Sequence, residues 1–140
     1  MGNPWLMAAG GLNAVASLVH LGCIVGGAPW YRFFGAGEGM ARLAERGSMK
    51  PTLITLCIAG ILALWSICAF SGAGILPRLP LLKPALIAIT VVYLLRAAAL
   101  PLMLRTVPDL GWTFLFVSSA IVLAIGLIHA IGLWTGWRTL

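Results

Sequence analysis

No charged side chain lies between Lys50 and Arg78 or between Asp109 and Arg138, and the first in the chain is Arg32. Each of these three stretches exceeds the ~20 apolar residues that an α-helix needs to cross a hydrocarbon core of ~30 Å. In hydrocarbon, every backbone N–H and C=O must be satisfied within the segment or within a closed barrel. The runs lack period-2 alternation, which predicts helices. The chain is 61% hydrophobic and 9% charged, against about 25% charged in a soluble domain, so it cannot cover itself with a solvated surface. The predicted fold is therefore an all-α integral membrane bundle, a single transmembrane domain over residues 1–140.

Helix boundaries follow from the punctuation. Trp5 to Val25 forms the first span, with Gly26, Gly27 and Pro29 closing it. It lacks the basic n-region of a signal peptide and is read as retained. Pro51 suits a first helical turn and opens a second span to about Phe70. A third is expected at about 84–104, interrupted by Arg96 and Pro101, and a fourth at about 111–133, with Trp134 and Trp137 at its exit. Between the first two, Ala36, Met40 and Leu43 recur at helical spacing opposite Glu38, Arg42, Glu45 and Arg46. That pattern predicts a short amphipathic helix in the interface, with Trp30, Tyr31, Phe33 and Phe34 as headgroup-level anchors.

Four spans put both termini on one side, here side A, together with Arg78, Lys83 and Arg138; side B holds Arg32, Arg42, Arg46, Lys50 and Arg105. The excess on side B places it in the cytoplasm by the positive-inside rule. The net charge of +6 is thus spent at helix ends on lipid headgroups, not on nucleic acid. Cys23, Cys57 and Cys68 all fall within apolar runs and do not form an extracellular disulfide framework.

Arg96 is the strongest chemical signal, because a charge within a span costs at least ~2.5–3.5 kcal/mol and usually faces the bundle interior or a wet cavity. It either binds a ligand, with Tyr93 one turn before it, or snorkels towards the interface or caps carbonyls freed around Pro101. At ~1.5 Å rise per residue, Arg96 sits roughly 3 Å from mid-span towards side B, His20 roughly 6 Å towards side B and His129 roughly 9 Å towards side A. The histidines are then about 15 Å apart in depth, too far to share a metal ion or flank a haem. His20 and Cys23 share a helix face, with Cys57 at comparable depth, but one His and two Cys make a weak metal pattern and no metal site is assigned. There is no phosphate loop, zinc spacing or nucleophile elbow, and no cofactor is identified. The expected ligand site joins Arg96, His20 and Tyr93 with Glu38, Asp109, Trp30 and Tyr31 at the side-B mouth.

The run from Gly27 to Glu38 (Gly-Ala-Pro-Trp-Tyr-Arg-Phe-Phe-Gly-Ala-Gly-Glu), then Met40 to Gly47 and Tyr93-Leu-Leu-Arg96, resembles a family of small uncharacterised bacterial membrane proteins. In length and helix count the chain is also broadly similar to DoxX-like membrane proteins. The resemblance implies a bacterial inner-membrane location and brings no activity with it. Two functions fit the residues. One is binding or transport of a polar or anionic small molecule, as a homo-oligomer or an accessory subunit among membrane lipids. The other is an enzyme acting on a lipid or quinone-like substrate, with His20 or Glu38 as acid/base.

Overall fold

The computed structural model describes residues 2–107 and 110–140. These residues form six helices and no strand: α1 (Pro4–Phe33), α2 (Glu38–Glu45), α3 (Lys50–Gly72), α4 (Leu82–Ala98), α5 (Leu100–Thr106) and α6 (Trp112–Gly136). α1, α3 and α6 are long and apolar enough to cross a membrane, and α4 with α5 makes a fourth such unit if the bent pair is counted as one span. α1 packs on α3 and α6, and α4 packs on α6 and α3, which closes a four-membered ring around one core.

The distribution of side chains is inverted relative to a soluble bundle. Val15, Leu18, Ile61, Leu64, Val91, Leu95, Val117 and Ile121 all point outward. Asn13, Ser17, Ser66, Thr90, Ser119 and His129 are buried. Monomeric soluble proteins rarely expose apolar patches beyond a few hundred Å². A surface of this kind is compatible with a multi-pass membrane protein.

Local sequence explains each end and each break. Asn3 caps α1 by accepting from the N–H groups of Trp5 and Leu6, and Pro4 occupies the first turn, where a missing N–H costs nothing. α1 does not end at Gly26-Gly27-Pro29 as expected. It kinks at Gly27 (φ 63°, ψ −148°), a conformation only glycine adopts without strain, and resumes to Phe33. The kink folds the Trp30 ring back over Gly22 and Gly26. A Cβ at Gly26 would lie 2.1 Å from that ring.

The span expected at 84–104 with interruptions at Arg96 and Pro101 is two helices bent by 54°, with Arg96 inside the first and the break only ahead of Pro101. Pro101 has no N–H to continue the ladder and its ring crowds the preceding turn, so the break falls at Ala99 and the proline starts α5.

α2 carries the predicted amphipathic pattern. Ala41 is fully buried while Glu38, Arg42, Glu45 and Arg46 are exposed. Ala36, expected to join its apolar face, is instead exposed before Gly37, whose φ of 91° sets the helix start.

Candidate functional site

The most buried polar groups meet where α1, α4 and α6 converge. The Tyr93 hydroxyl donates to Asn13 Oδ1, and Asn13 Nδ2 donates to His129 Nε2 at 3.0 Å. An amide N–H can only donate, so Nε2 is unprotonated and the neutral ring carries its proton on Nδ1. That Nδ1 is buried without a hydrogen-bond partner. The Tyr93 ring stacks on His129 (5.6 Å, 26°) and meets Trp65 edge-on at 5.1 Å. Two further bonds join α1 to α3: Ser17 Oγ donates to the Ala59 carbonyl and Ser66 Oγ to the Gly10 carbonyl, both at 2.8 Å. Both serines are small enough to let α1 and α3 approach closely.

Tyr93 also lines a groove that opens on the outer surface between α3 and α4. Its volume is about 190 Å³, and Ile61, Leu62 and Trp65 of α3, Val92, Tyr93 and Arg96 of α4 and Val122 of α6 are among its walls. Arg96 is half-buried. Its Nη1 donates to Ser119 Oγ at 3.2 Å, and among the described residues no carboxylate lies within ion-pair distance of it. Ser119 is the eighth residue of α6, about 10 Å along the axis from the helix start. The guanidinium therefore lies inside the apolar part of the bundle, displaced towards side B, with Nε and Nη2 left for another acceptor.

The other predicted site residues are distributed elsewhere. His20 Nδ1 pairs with the Ala16 carbonyl of its own helix at 2.7 Å and makes no hydrogen bond to Arg96 or Tyr93. Trp30 lies against Gly22 and Gly26. Tyr31 is buried with Cys23, Ala28 and Ala41, and its hydroxyl has no partner. Asp109 lies outside the described residues. Of the seven candidates, the groove brings together Tyr93 and Arg96. Asn13 and Ser119 are not among the site residues singled out from the sequence.

Glu38 takes part in an ion cluster at side B. Arg32 grips it with both Nε (2.8 Å) and Nη2 (2.9 Å) and reaches Glu45 with Nη1 at 2.7 Å; Arg42 Nε adds a 3.1 Å bond. These bonds, Arg32 first and Arg42 second, hold the Glu38 carboxyl at about 2, against an ordinary 4.5. Arg32 lowers Glu45 as well. Carboxyls depressed in the folded state stabilise the docking of α2 fully above pH about 4.5 and lose that contribution as pH falls towards about 2. All four side chains are solvent-exposed, so the effect is local and modest. Hydrogen-exchange protection of residues 38–47, corrected for intrinsic rates, is expected to fall across that acid window while α6 stays protected. Unchanged protection at pH 3 would assign the docking to Ala41 and its apolar neighbours alone.

Comparison with protein-family models, with curated proteins and with solved structures finds no match to this chain.

Proposed function

We propose that the chain is a four-span membrane protein that binds an amphiphile with an acidic or acceptor-rich head, drawn laterally from the bilayer into the α3–α4 groove. The observation that carries this reading is Arg96: a half-buried guanidinium, held by one neutral hydroxyl, at the edge of an apolar groove. A charge in that position costs ~2.5–3.5 kcal/mol or more, and an anionic head would offset much of it through charge-assisted bonds to Nε and Nη2. The groove runs from Arg96 towards Trp65 and Val92, nearer mid-span, which suits a head at side B with its chain pointing inward.

Size argues for binding over conduction. Cavities that enclose a small molecule hold ~300–1,000 Å³, and this groove holds about 190 Å³, enough for part of a chain. The bundle axis is filled by fully buried Leu6, Leu86, Leu115, Asn13 and His129. Neither histidine lines the groove, which supports binding over acid–base catalysis. We take side B, with its greater number of Lys and Arg, as cytoplasmic. We extend the location to a bacterial inner membrane on the resemblance carried by residues 27–47.

Native mass spectrometry of gently extracted protein tests this. Wild type is expected to retain an acidic amphiphile, and Arg96→Gln and the groove-filling Val92→Trp to lose it by about ten-fold or more, the size of one charge-assisted hydrogen bond. Equal retention in all three proteins would overturn the reading.

A further inference from the structure

The side-A end of the bundle holds a second cavity, independent of the Arg96 groove. It is a bowl of about 740 Å³ where α1 and α4 begin and α3 and α6 end, with Asn3, Ser71, Arg78, Thr135 and Thr139 in its wall. This volume lies within the ~300–1,000 Å³ of small-molecule sites. Beneath it, the side chains of Leu6 and Leu86 close on Gly72, so the bowl is a dead end.

Positive charge gathers at its rim. Arg78 Nη1 donates to the Thr139 carbonyl at 3.0 Å, and Lys83 Nζ donates to the Trp137 carbonyl at 2.8 Å. Trp137 and Thr139 are two residues apart with Arg138 between them, so three cations share one turn of chain. Among the described residues, no side-chain carboxylate pairs with any of them; Glu38 and Glu45 are engaged by Arg32 at the opposite end. Capping the last carbonyls of α6 explains part of this arrangement. It uses one of five donors on Arg78, one of three on Lys83, whose ammonium also lies 4.0 Å over the Trp137 ring, and none on Arg138. The polar side chains of the wall are already committed: Asn3 Nδ2 donates to Gly132 O and Thr135 Oγ1, and Ser71 Oγ donates to Pro77 O. The donors left for a ligand are therefore cationic, which selects for an anion over a neutral polar solute.

We infer that the side-A bowl binds a phosphate-bearing group, with Arg78 as its principal contact and Lys83 and Arg138 as the surrounding field. A planar guanidinium with Nε and Nη2 both free matches phosphate oxygens. The group is either a small soluble phosphate or the headgroup of an anionic lipid, and Trp5, Trp134 and Trp137 lie exposed at the same end, where aromatic residues meet headgroups.

Two arms separate these sources. Protein in phosphatidylcholine nanodiscs is titrated with glycerol 3-phosphate by calorimetry, and retention of phosphatidylglycerol over phosphatidylcholine is read by native mass spectrometry. Loss of about ten-fold or more in either arm on Arg78→Gln, with Arg46→Gln at the other end unchanged, supports the site and names its source. Lys83→Gln is expected to weaken the same arm and serves if Arg78→Gln does not fold. No binding by wild type in either arm, or equal binding by wild type and both variants, would overturn the inference and leave the cations as caps of α6.

Discussion

Asn13→Ala is expected to destabilise the bundle by about 2–3 kcal/mol. Asn13 is fully buried and carries the hydrogen bonds that connect Tyr93 on α4 to His129 on α6, beside the direct stacking of their rings. Its removal leaves a phenol O–H and an imidazole nitrogen without partners, in addition to the Nδ1 that already has none. An orphaned buried group costs roughly 1–3 kcal/mol. Side-chain hydrogen bonds between membrane helices measure lower, averaging ~0.6 and reaching ~1.7 kcal/mol, which sets the expectation between the two. The triple variant Asn13→Leu, Tyr93→Phe, His129→Leu removes all partners together and should recover to within about 1 kcal/mol of wild type, because matched apolar replacement leaves nothing unsatisfied. Reversible unfolding in mixed micelles measures both. A single-variant cost below about 0.5 kcal/mol would show that the buried network carries no stability.

Gly132→Val is expected to cost about 3 kcal/mol by forcing α1 and α6 apart. A Cβ at Gly132 would stand 2.7 Å from Leu6 Cδ2, 2.8 Å from its Cγ and 3.2 Å from its backbone N. Leu6 is fully buried and its N–H is held by Asn3, so neither side chain nor backbone has room to retreat. Overpacking of this kind typically costs 1–3 kcal/mol, and here the backbone contact puts the effect at the upper end. Gly60 provides the contrast. It faces outward on α3 with nothing within 4 Å of an added Cβ, so Gly60→Ala should be neutral or stabilise by up to ~1 kcal/mol through helix propensity. Similar costs at both positions would mean that helix packing is looser than the close approach of Leu6 to Gly132 implies.

The elements legible in the sequence were those governed by long-range composition or by backbone chemistry. Uncharged runs marked α1, α3 and α6. The alternation of Met40 and Leu43 with Arg42 and Glu45 marked α2. Pro101 marked a break, though not that the chain would turn by 54° there. What sequence could not supply was rotation about each helix axis. Depth arithmetic separates His20 from His129 but does not say which residue faces either one. The same arithmetic puts Asn13 two turns, or about 10 Å, towards side A from His20, and so within about 5 Å of the depth of His129. A lone amide in the run Gly10-Gly11-Leu12-Asn13-Ala14-Val15 was thus a readable signal, since an unpaired amide in hydrocarbon is costly. The partner of Arg96 was hidden for a different reason. Ser119 is adjacent to Ser118 and Ala120, a triplet that reads equally well as close-packing surface, and only the mutual placement of α4 and α6 shows its hydroxyl accepting from the guanidinium. Gly27 belongs to a third class: consecutive glycines signal an interruption, but a kink and a helix end share the same residues.

Photocrosslinking in native membranes addresses the Arg96 groove most directly. A small aliphatic diazirine amino acid, close to isoleucine and valine in size, is placed at Ile61 or Val92, which line the groove, or at Val117, which is outward-facing on α6 and outside it. Adducts are then identified by mass with Arg96 intact and with Arg96→Gln. Binding of an acidic amphiphile at the groove predicts one dominant adduct mass at Ile61 and Val92, absent at Val117 and lost on Arg96→Gln. The same spread of bulk lipids at all three positions, unaffected by Arg96→Gln, would contradict it and leave Arg96 as a link between α4 and α6.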